Sequence, residues 1–285
     1  MTLTPDESLA IKLRDAVKAV SGVKLPQLPG DLAQLQQELQ SRFVNSYSVA
    51  QIIDKDTTLA GEVLTLINSP VMKINVEVRS IREAVEMLGL DNIRNLLISA
   101  VLKRLFGNDL LYKDIMEHSV DVAFCMADLS EWVAGVSRDE AYMLGLFHNG
   151  GALMLATKDP HGYLKLFSQS HSLPLTVIEK ERARYGSDHA TIGVLLGKRW
   201  NLPVDMLSAI MLHHVDKCAS IQNDKVRAYV ALLKIANAIV SEISFGAYRG
   251  DEMRDYEQDG LDELMISEPI IREIRLALMS YNVKD

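Results

Sequence analysis

Residues 141–151, AYMLGLFHNGG, place His148 in an apolar run that is typical of a buried helix. Four more histidines have similar apolar, helix-like settings: His118, His189, His213 and His214. A single histidine in such a setting is usually a hydrogen-bonded core or surface residue. Five of the seven histidines of the chain share this setting, and their order and context favour a common role.

Helical spacing extends outward from this stretch to most of the chain. Between residues 31 and 107 apolar side chains recur at three- and four-residue steps, and alternating strand-like runs are nearly absent throughout. The sequence Ser80-Ile81-Arg82-Glu83 has the pattern of a helix-capping box, Gly89 supplies a stop, and Asp91 is placed to cap the next helix. We therefore predict an all-α fold of short and medium helices.

The two ends of the chain have different patterns. Thr4-Pro5-Asp6-Glu7 begins a leading helix that Gly22 closes, and LPQLP at 25–29 forms an elbow in which Leu25 and Leu28 are predicted to be buried. After Gly246 the sequence is polar and acidic, which predicts a loop, and a last helix follows from Pro269 to Tyr281. That helix should pack on the body of the protein or on a partner.

Composition limits the classes of ligand and location. The chain of 285 residues has a net charge of −8, so it lacks the positive field that holds nucleic acid, and we expect no nucleic-acid partner. No apolar run approaches the roughly 20 residues that span a membrane, and the amino terminus does not resemble a signal peptide. Cys125 and Cys218 lack a nearby cysteine and are expected to be reduced and buried. We predict a cytoplasmic protein, with Trp132 and Trp200 in its core.

Five segments in order resemble the HD and HD-GYP phosphohydrolases: 117–132, 141–151, 187–203, AIMLHH at 209–214 and LLKIANAI at 232–239. In those enzymes the matching segments supply metal ligands, namely an early histidine, a His-Asp pair, a further histidine, a His-His pair and a late aspartate. The resemblance assigns these positions to His118, His148, His189, His213 and His214. It implies that they meet in one cavity.

The departures from the enzymes concern the carboxylates. Asn149 occupies the place of the aspartate in the His-Asp pair, and Asn237 that of the late aspartate. The lysine expected soon after the pair is missing, since Gly150 and Gly151 stand there, and no GYP motif follows the double histidine. Two neutral amides in place of two carboxylates should weaken the binding of hard cations such as magnesium or manganese steeply.

The first half is similar to the amino-terminal signature of HDOD domains, a branch of this superfamily in which missing carboxylates are expected. It has the Leu25-Pro26 elbow, the turn at Asp56, the Asn68-Ser69 step and the Leu88-Gly89 turn. The resemblance implies a leading helix at 1–23 and an HDOD domain at 24–245. Within that domain an amino-terminal helical subdomain (24–110) packs on an HD-like bundle (111–245), and 246–285 is an acidic loop and carboxy-terminal helix.

The resemblance implies a non-catalytic bacterial signalling module that binds a signalling protein or a small ligand, without a membrane. The rival hypothesis is a metal-dependent phosphohydrolase acting on a nucleotide or a cyclic dinucleotide. We expect no catalytic residue and no required cofactor. If a metal is retained, zinc or nickel would bind His148, His189, His213 and His214, because imidazole is a good ligand for both ions. The predicted pocket comprises those four residues with His118, Asn149 and Asn237.

Overall fold

The computed structural model describes residues 5–24, 44–107 and 109–282, together with residues 30, 34, 35 and 38. Over these residues the chain is helical and forms no β-strand, which confirms the predicted all-α fold. Leu25 and Leu28, which are predicted to be buried, lie outside the described residues. Thr4 and Pro26 also lie outside them.

The helices are of short and medium length. The first group is α1 (Pro5–Ala19), α2 (Ser46–Ile53), α3 (Thr57–Ile67), α4 (Ile81–Leu88) and α5 (Leu90–Phe106). The second group is α6 (Lys113–Leu129), α7 (Arg138–Phe147), α8 (Gly150–Lys158), α9 (Pro160–Ser170), α10 (Pro174–Tyr185), α11 (His189–Arg199), α12 (Val204–Leu212) and α13 (Asp224–Ile243). Two helices follow, α14 (Asp251–Leu264) and α15 (Glu268–Asn282).

Local capping explains several of the helix boundaries. Ser80 accepts a hydrogen bond from the backbone N–H of Glu83 at 3.1 Å, as the sequence predicts. Gly89 ends α4 with φ +85°, a left-handed value that favours glycine. The predicted cap at Asp91 is wrong, because α5 already begins at Leu90 and Asp91 lies in its first turn.

Two glycines allow the helices around the histidines to touch through their backbones. A Cβ atom at Gly145 would lie 2.6 Å from Ala123 Cα, where α7 crosses α6. A Cβ atom at Gly151 would lie 2.0 Å from the carbonyl oxygen of His189, where α8 crosses α11. Any side chain at Gly151 would therefore displace α11. These close crossings bring the start of α11 against the segment that joins α7 to α8.

The acidic segment that follows Gly246 is not the predicted loop, because it contains α14. Its buried face is small, with Met253, Tyr256 and Gly260, and this narrow face gave little apolar periodicity. Tertiary contacts stabilise α14 instead, including an ion pair of 2.6 Å between Asp259 and the fully buried Lys234 of α13.

The last helix, α15, agrees with the predicted span within one residue at each end and packs on α6 and α13. Trp200 is fully buried as predicted, but Trp132 is 52% exposed, so its prediction as a core residue is wrong. It lies in the short 3₁₀ turn Ser130–Trp132, beyond the apolar face of α6. None of the described helices is long and apolar enough to cross a membrane.

Candidate functional site: a closed histidine pocket

The structure brings the seven predicted residues together from five places in the sequence. His118 lies on α6, His148 and Asn149 between α7 and α8, His189 at the start of α11, His213 and His214 after α12, and Asn237 on α13. The His148 ring centroid is 5.7 Å from that of His118 and 5.2 Å from that of His213. We refer to these seven residues as the histidine pocket.

Three of the imidazoles are held in the same way. The Nδ1–H groups of His148 and His213 donate to the carbonyl oxygens of Gly145 at 2.5 Å and Ile210 at 2.7 Å. That of His189 donates to the carboxylate of Glu181 at 2.8 Å. Because those oxygens only accept hydrogen bonds, each Nδ1 carries a proton, and the neutral form of each ring presents a lone pair on Nε2.

The Nε2 atoms of three histidines converge. His189 Nε2 lies 3.3 Å from His213 Nε2 and 3.1 Å from His214 Nε2. Facing lone pairs repel at these distances, so a proton or a cation must lie between the nitrogens. Burial opposes the charged form of His189, but the Glu181 carboxylate outweighs burial and raises its pKa. In its protonated form, His189 can donate from Nε2–H to one of these two neighbouring nitrogens.

Glu181 of α10 is the residue that sequence reasoning missed. Its fully buried carboxylate accepts hydrogen bonds from the Tyr163 hydroxyl at 2.9 Å and from the backbone N–H of His189 at 2.8 Å. A signal was present, since Val177, Ile178 and Glu181 share the buried face of an otherwise polar helix. A glutamate on such a face requires fixed donors, because an unpaired buried charge is costly.

The other four histidines of the pocket have lowered pKa values. Burial, followed by the nearby imidazoles, lowers the pKa of His213 to about 3 and the pKa values of His118, His148 and His214 well below the usual 6.5. His171, which the sequence did not single out, stacks on Phe245 with ring centroids 4.5 Å apart. Burial lowers the pKa of His171 to about 4.

Asn237 serves as a hydrogen-bonding link in the pocket. Its Oδ1 accepts from His118 Nε2 at 2.8 Å, and its Nδ2 donates to the carbonyl oxygen of Leu233 at 2.9 Å. The amide therefore uses both of its functions without any ion. Asn149, the first residue before α8, lines the same small cavity as His118, His214 and Asn237.

Helix α14 closes the pocket. Met253 and Tyr256 line a cavity of only about 10 Å³, which corresponds to about one water molecule. The Tyr256 hydroxyl donates to the carbonyl oxygen of His213 at 2.6 Å, and its ring is inclined by 28° to that of His214 with centroids 6.1 Å apart. Nearby, Glu252 of α14 accepts from the backbone N–H of Leu175 at 2.7 Å, which ties α14 to the start of α10.

The imidazole nitrogens of the pocket fit a metal ion that prefers nitrogen ligands. His189, His213 and His214 offer ligand atoms within 4.8 Å of one another, and the buried His148 Nε2 has no hydrogen-bond partner within the described residues. The two Nε2 separations measured from His189 are close to the roughly 3.3 Å expected between nitrogens of a tetrahedral zinc site. Since Asn149 and Asn237 supply no charge, zinc or nickel fits better than magnesium or manganese.

Comparisons with known proteins extend these observations. The sequence profile of the HDOD domain matches residues 25–215. An uncharacterized protein of Treponema pallidum (strain Nichols) is 28% identical over 218 residues, which are 74% of this chain and 40% of that protein. The chain thus spans less than half the length of that relative. The profile match ends before α13, so Asn237 and the α14 residues that close the pocket lie beyond it.

Solved structures share the fold at low sequence identity. A candidate signal transduction protein from Marinobacter aquaeolei VT8 has a TM-score of 0.69 and 21% identity, over 98% of this chain and 64% of that one. A candidate phosphohydrolase from Shewanella amazonensis SB2B has a TM-score of 0.65 and 22% identity, over 93% of each chain. These likenesses bear on the fold alone. The profile match covers most of the chain and confirms the resemblance seen in the sequence: the protein belongs to the HDOD domain family.

Proposed function

We propose that this protein is a non-catalytic signalling module, which relays a state by binding another protein or a small ligand. The observation that carries the proposal is the closed histidine pocket. Its cavity of about 10 Å³ is far below the roughly 300 to 1,000 Å³ of small-molecule sites. A nucleotide could reach the imidazoles only if the helices that close the cavity, α14 among them, moved away.

The chemistry of the pocket supports the same proposal. Phosphoryl hydrolysis in the related enzymes needs a metal that polarises the substrate and lowers the pKa of a bound water. Asn149 and Asn237 provide no anionic ligand for that metal. The lysine that the related enzymes carry shortly after the His-Asp pair is also missing, and the close packing at Gly151 leaves no room there for any side chain. Membership of the HDOD family agrees with a signalling role. Two buried, unpaired cysteines, Cys125 and Cys218, suit a reducing cytoplasm.

Hydrolysis assays test the proposal directly. Protein supplied with magnesium, manganese or iron should not hydrolyse nucleotides, cyclic dinucleotides or bis(p-nitrophenyl) phosphate above the level of a His148→Ala variant. Turnover that survives repurification and disappears in His148→Ala would overturn the proposal.

The second candidate is a metal-dependent phosphohydrolase, favoured by the three convergent Nε2 atoms of His189, His213 and His214. A metal bound there would supply Lewis acidity. Metal content, measured on protein purified without a His tag, separates the signalling module from the phosphohydrolase when it is combined with the hydrolysis assays. Bound zinc without turnover supports a structural ion in a signalling module, whereas bound metal with turnover supports the enzyme.

A further inference from the structure

A second cavity lies on a different face of α6 from His118. It is a cleft of about 940 Å³ between α3, α5, α6 and the end of α13. We name it the seam cleft, because α3 packs on α5 whereas α6 packs mainly on α7 and α13, and the cleft occupies the junction of these groups. Its volume lies within the range of small-molecule binding sites.

The seam cleft has an apolar floor. Leu66 and Met116 are buried there, and Val120, Phe124 and Phe245 are half-buried. The Phe245 ring also packs against the histidine pocket, with its centroid 5.4 Å from that of His118. An apolar ligand body lying on this floor would therefore contact a side chain that the histidine pocket also contacts.

The titratable side chains of the seam cleft are balanced in sign. Three are basic and three are acidic, so their formal charges cancel: Lys103, Arg104, Lys113, Glu62, Glu117 and Asp121. A phosphate-rich ligand needs a net positive site, and this balance does not provide one. A neutral ligand or a zwitterion fits it better.

Two of these groups lack a close partner. Arg104 pairs with Asp56 at 2.7 Å, but the ammonium group of the exposed Lys103 makes no hydrogen bond or ion pair within the described part of the chain. One carboxylate oxygen of Glu62 is buried and has no hydrogen-bond partner there. Burial raises the pKa of Asp121, against the effect of its hydrogen bond with Ser244. The buried Glu62 oxygen without a partner calls for an explanation, and a donor group of a ligand provides one.

We propose that the seam cleft binds a small amphipathic zwitterion, with the chemistry of a short apolar peptide or a free apolar amino acid. The ligand carboxylate accepts from the Lys103 ammonium group, its ammonium group donates to Glu62 or Asp121, and its side chains lie on Val120, Phe124 and Phe245. The proposal rests on the proposed binding role, and it names the ligand class and the site.

Calorimetric titration with trileucine tests the charges and the apolar body together. Wild-type protein should bind trileucine saturably, and the N-acetylated, C-amidated peptide should bind about tenfold more weakly or not at all, because hydrogen bonds between charged groups are lost. Lys103→Gln should weaken the binding of trileucine about tenfold and should abolish the difference between its free carboxylate and its C-amide.

A matched control and a steric block locate the site. Lys198→Gln removes the same charge from an exposed position on α11 and should leave binding unchanged. Val120→Trp should fill the cleft and abolish binding while the melting temperature stays near that of the parent. If Val120→Trp fails to fold, the Lys103→Gln comparison still decides.

Each outcome has a defined meaning. Binding of free leucine in place of trileucine, with the same dependence on Lys103, supports the same site with an amino acid as the ligand. The proposal is overturned if neither compound binds, or if the blocked peptide and the Lys103→Gln variant bind as tightly as the originals. None of these results requires hydrolysis, so phosphohydrolase activity would contradict the proposed function without deciding the ligand of the seam cleft.

Discussion

The histidine pocket and the seam cleft differ in two ways: in the volume of their cavities and in whether their residues belong to a sequence motif. The pocket encloses about 10 Å³ and contains the residues that stand out in the sequence. The cleft holds about 940 Å³ and is lined by charged and apolar residues that form no recognisable motif. The difference teaches that the residues which a sequence motif singles out can form a packed interior, while the space available to a ligand lies elsewhere.

Acid is expected to have the largest effect on the closed pocket. Four buried histidines and the half-buried His214 have lowered pKa values in the folded protein, the four being His118, His148, His171 and His213. Each is neutral when folded and gains a proton on unfolding below its usual pKa of 6.5. Their stabilisation is complete above that pH and is lost as the pH falls toward the folded values, by about 1.4 kcal/mol per pH unit and histidine.

Denaturant unfolding of chelator-treated protein across this pH range measures the effect. His171→Phe keeps an aromatic ring against Phe245 and removes one titrating group, so the slope of unfolding free energy against pH should fall by about one proton. His161→Gln at an exposed position serves as the control. His189 has a raised pKa in the folded protein, so its contribution to stability is complete below pH 6.5 and is lost as the pH rises above that value. An unchanged slope in His171→Phe would count against a buried, neutral His171.

Restoring the two carboxylates should destabilise the pocket and give it a metal site. The metal-free double variant Asn149→Asp with Asn237→Asp should lose about 2 to 4 kcal/mol, because carboxylates in this closed space are poorly solvated. Zinc should then raise its melting temperature more than that of the parent, because an ion bound only to the folded state stabilises it.

Thermal unfolding with and without zinc measures both effects, and Gln222→Glu, an amide-to-acid change at an exposed position, is the control. A double variant with neither metal uptake nor loss of stability would show that the asparagines do not share a pocket with the histidines.

Removing the charge of Glu181 should have an intermediate effect. Glu181→Gln weakens the hydrogen bonds from Tyr163 and His189, and we expect a loss of about 2 to 3 kcal/mol in unfolding free energy. The exposed Glu179 on the same helix gives the matched control Glu179→Gln. Equal stabilities of the two variants would mean that Glu181 does not anchor His189.

The smallest effect is expected for a variant in the seam cleft. This variant should gain stability, whereas the double variant and Glu181→Gln should lose it. Glu62→Gln removes a charge whose buried oxygen lacks a partner, so the ligand-free protein should gain about 0.5 kcal/mol. Glu273→Gln on the exposed side of α15 is the control for the loss of a negative charge. A loss of stability in Glu62→Gln would indicate that Glu62 has a structural partner in the empty protein.

The sequence predicted well those elements that local rules control. The cap at Ser80, the stop at Gly89 and the span of α15 follow from hydrogen bonding and periodicity within a few residues. The resemblance to HD enzymes also selected histidines that lie together. It could do so because the matching segments follow one another in the same order as in those enzymes.

Features that depend on distant contacts were not predictable in this way. Helix α14 was predicted as a loop because its stability depends on Lys234 and on a narrow buried face with Tyr256. Glu181 belongs to no motif, and its role appears only when α10 is packed against the start of α11. The seam cleft is formed by four elements that are separate in sequence, so no local pattern could indicate it.

Chemical accessibility of the imidazoles tests the closed pocket most directly. Folded protein treated with diethyl pyrocarbonate, followed by peptide mass spectrometry, compares the exposed His161 with the buried His118, His148, His189 and His213. A pocket closed by Met253 and Tyr256 predicts rapid modification of His161 and none of the four buried histidines until the protein unfolds. Modification of His148 or His213 at a rate similar to that of His161, in protein that stays folded, would contradict it.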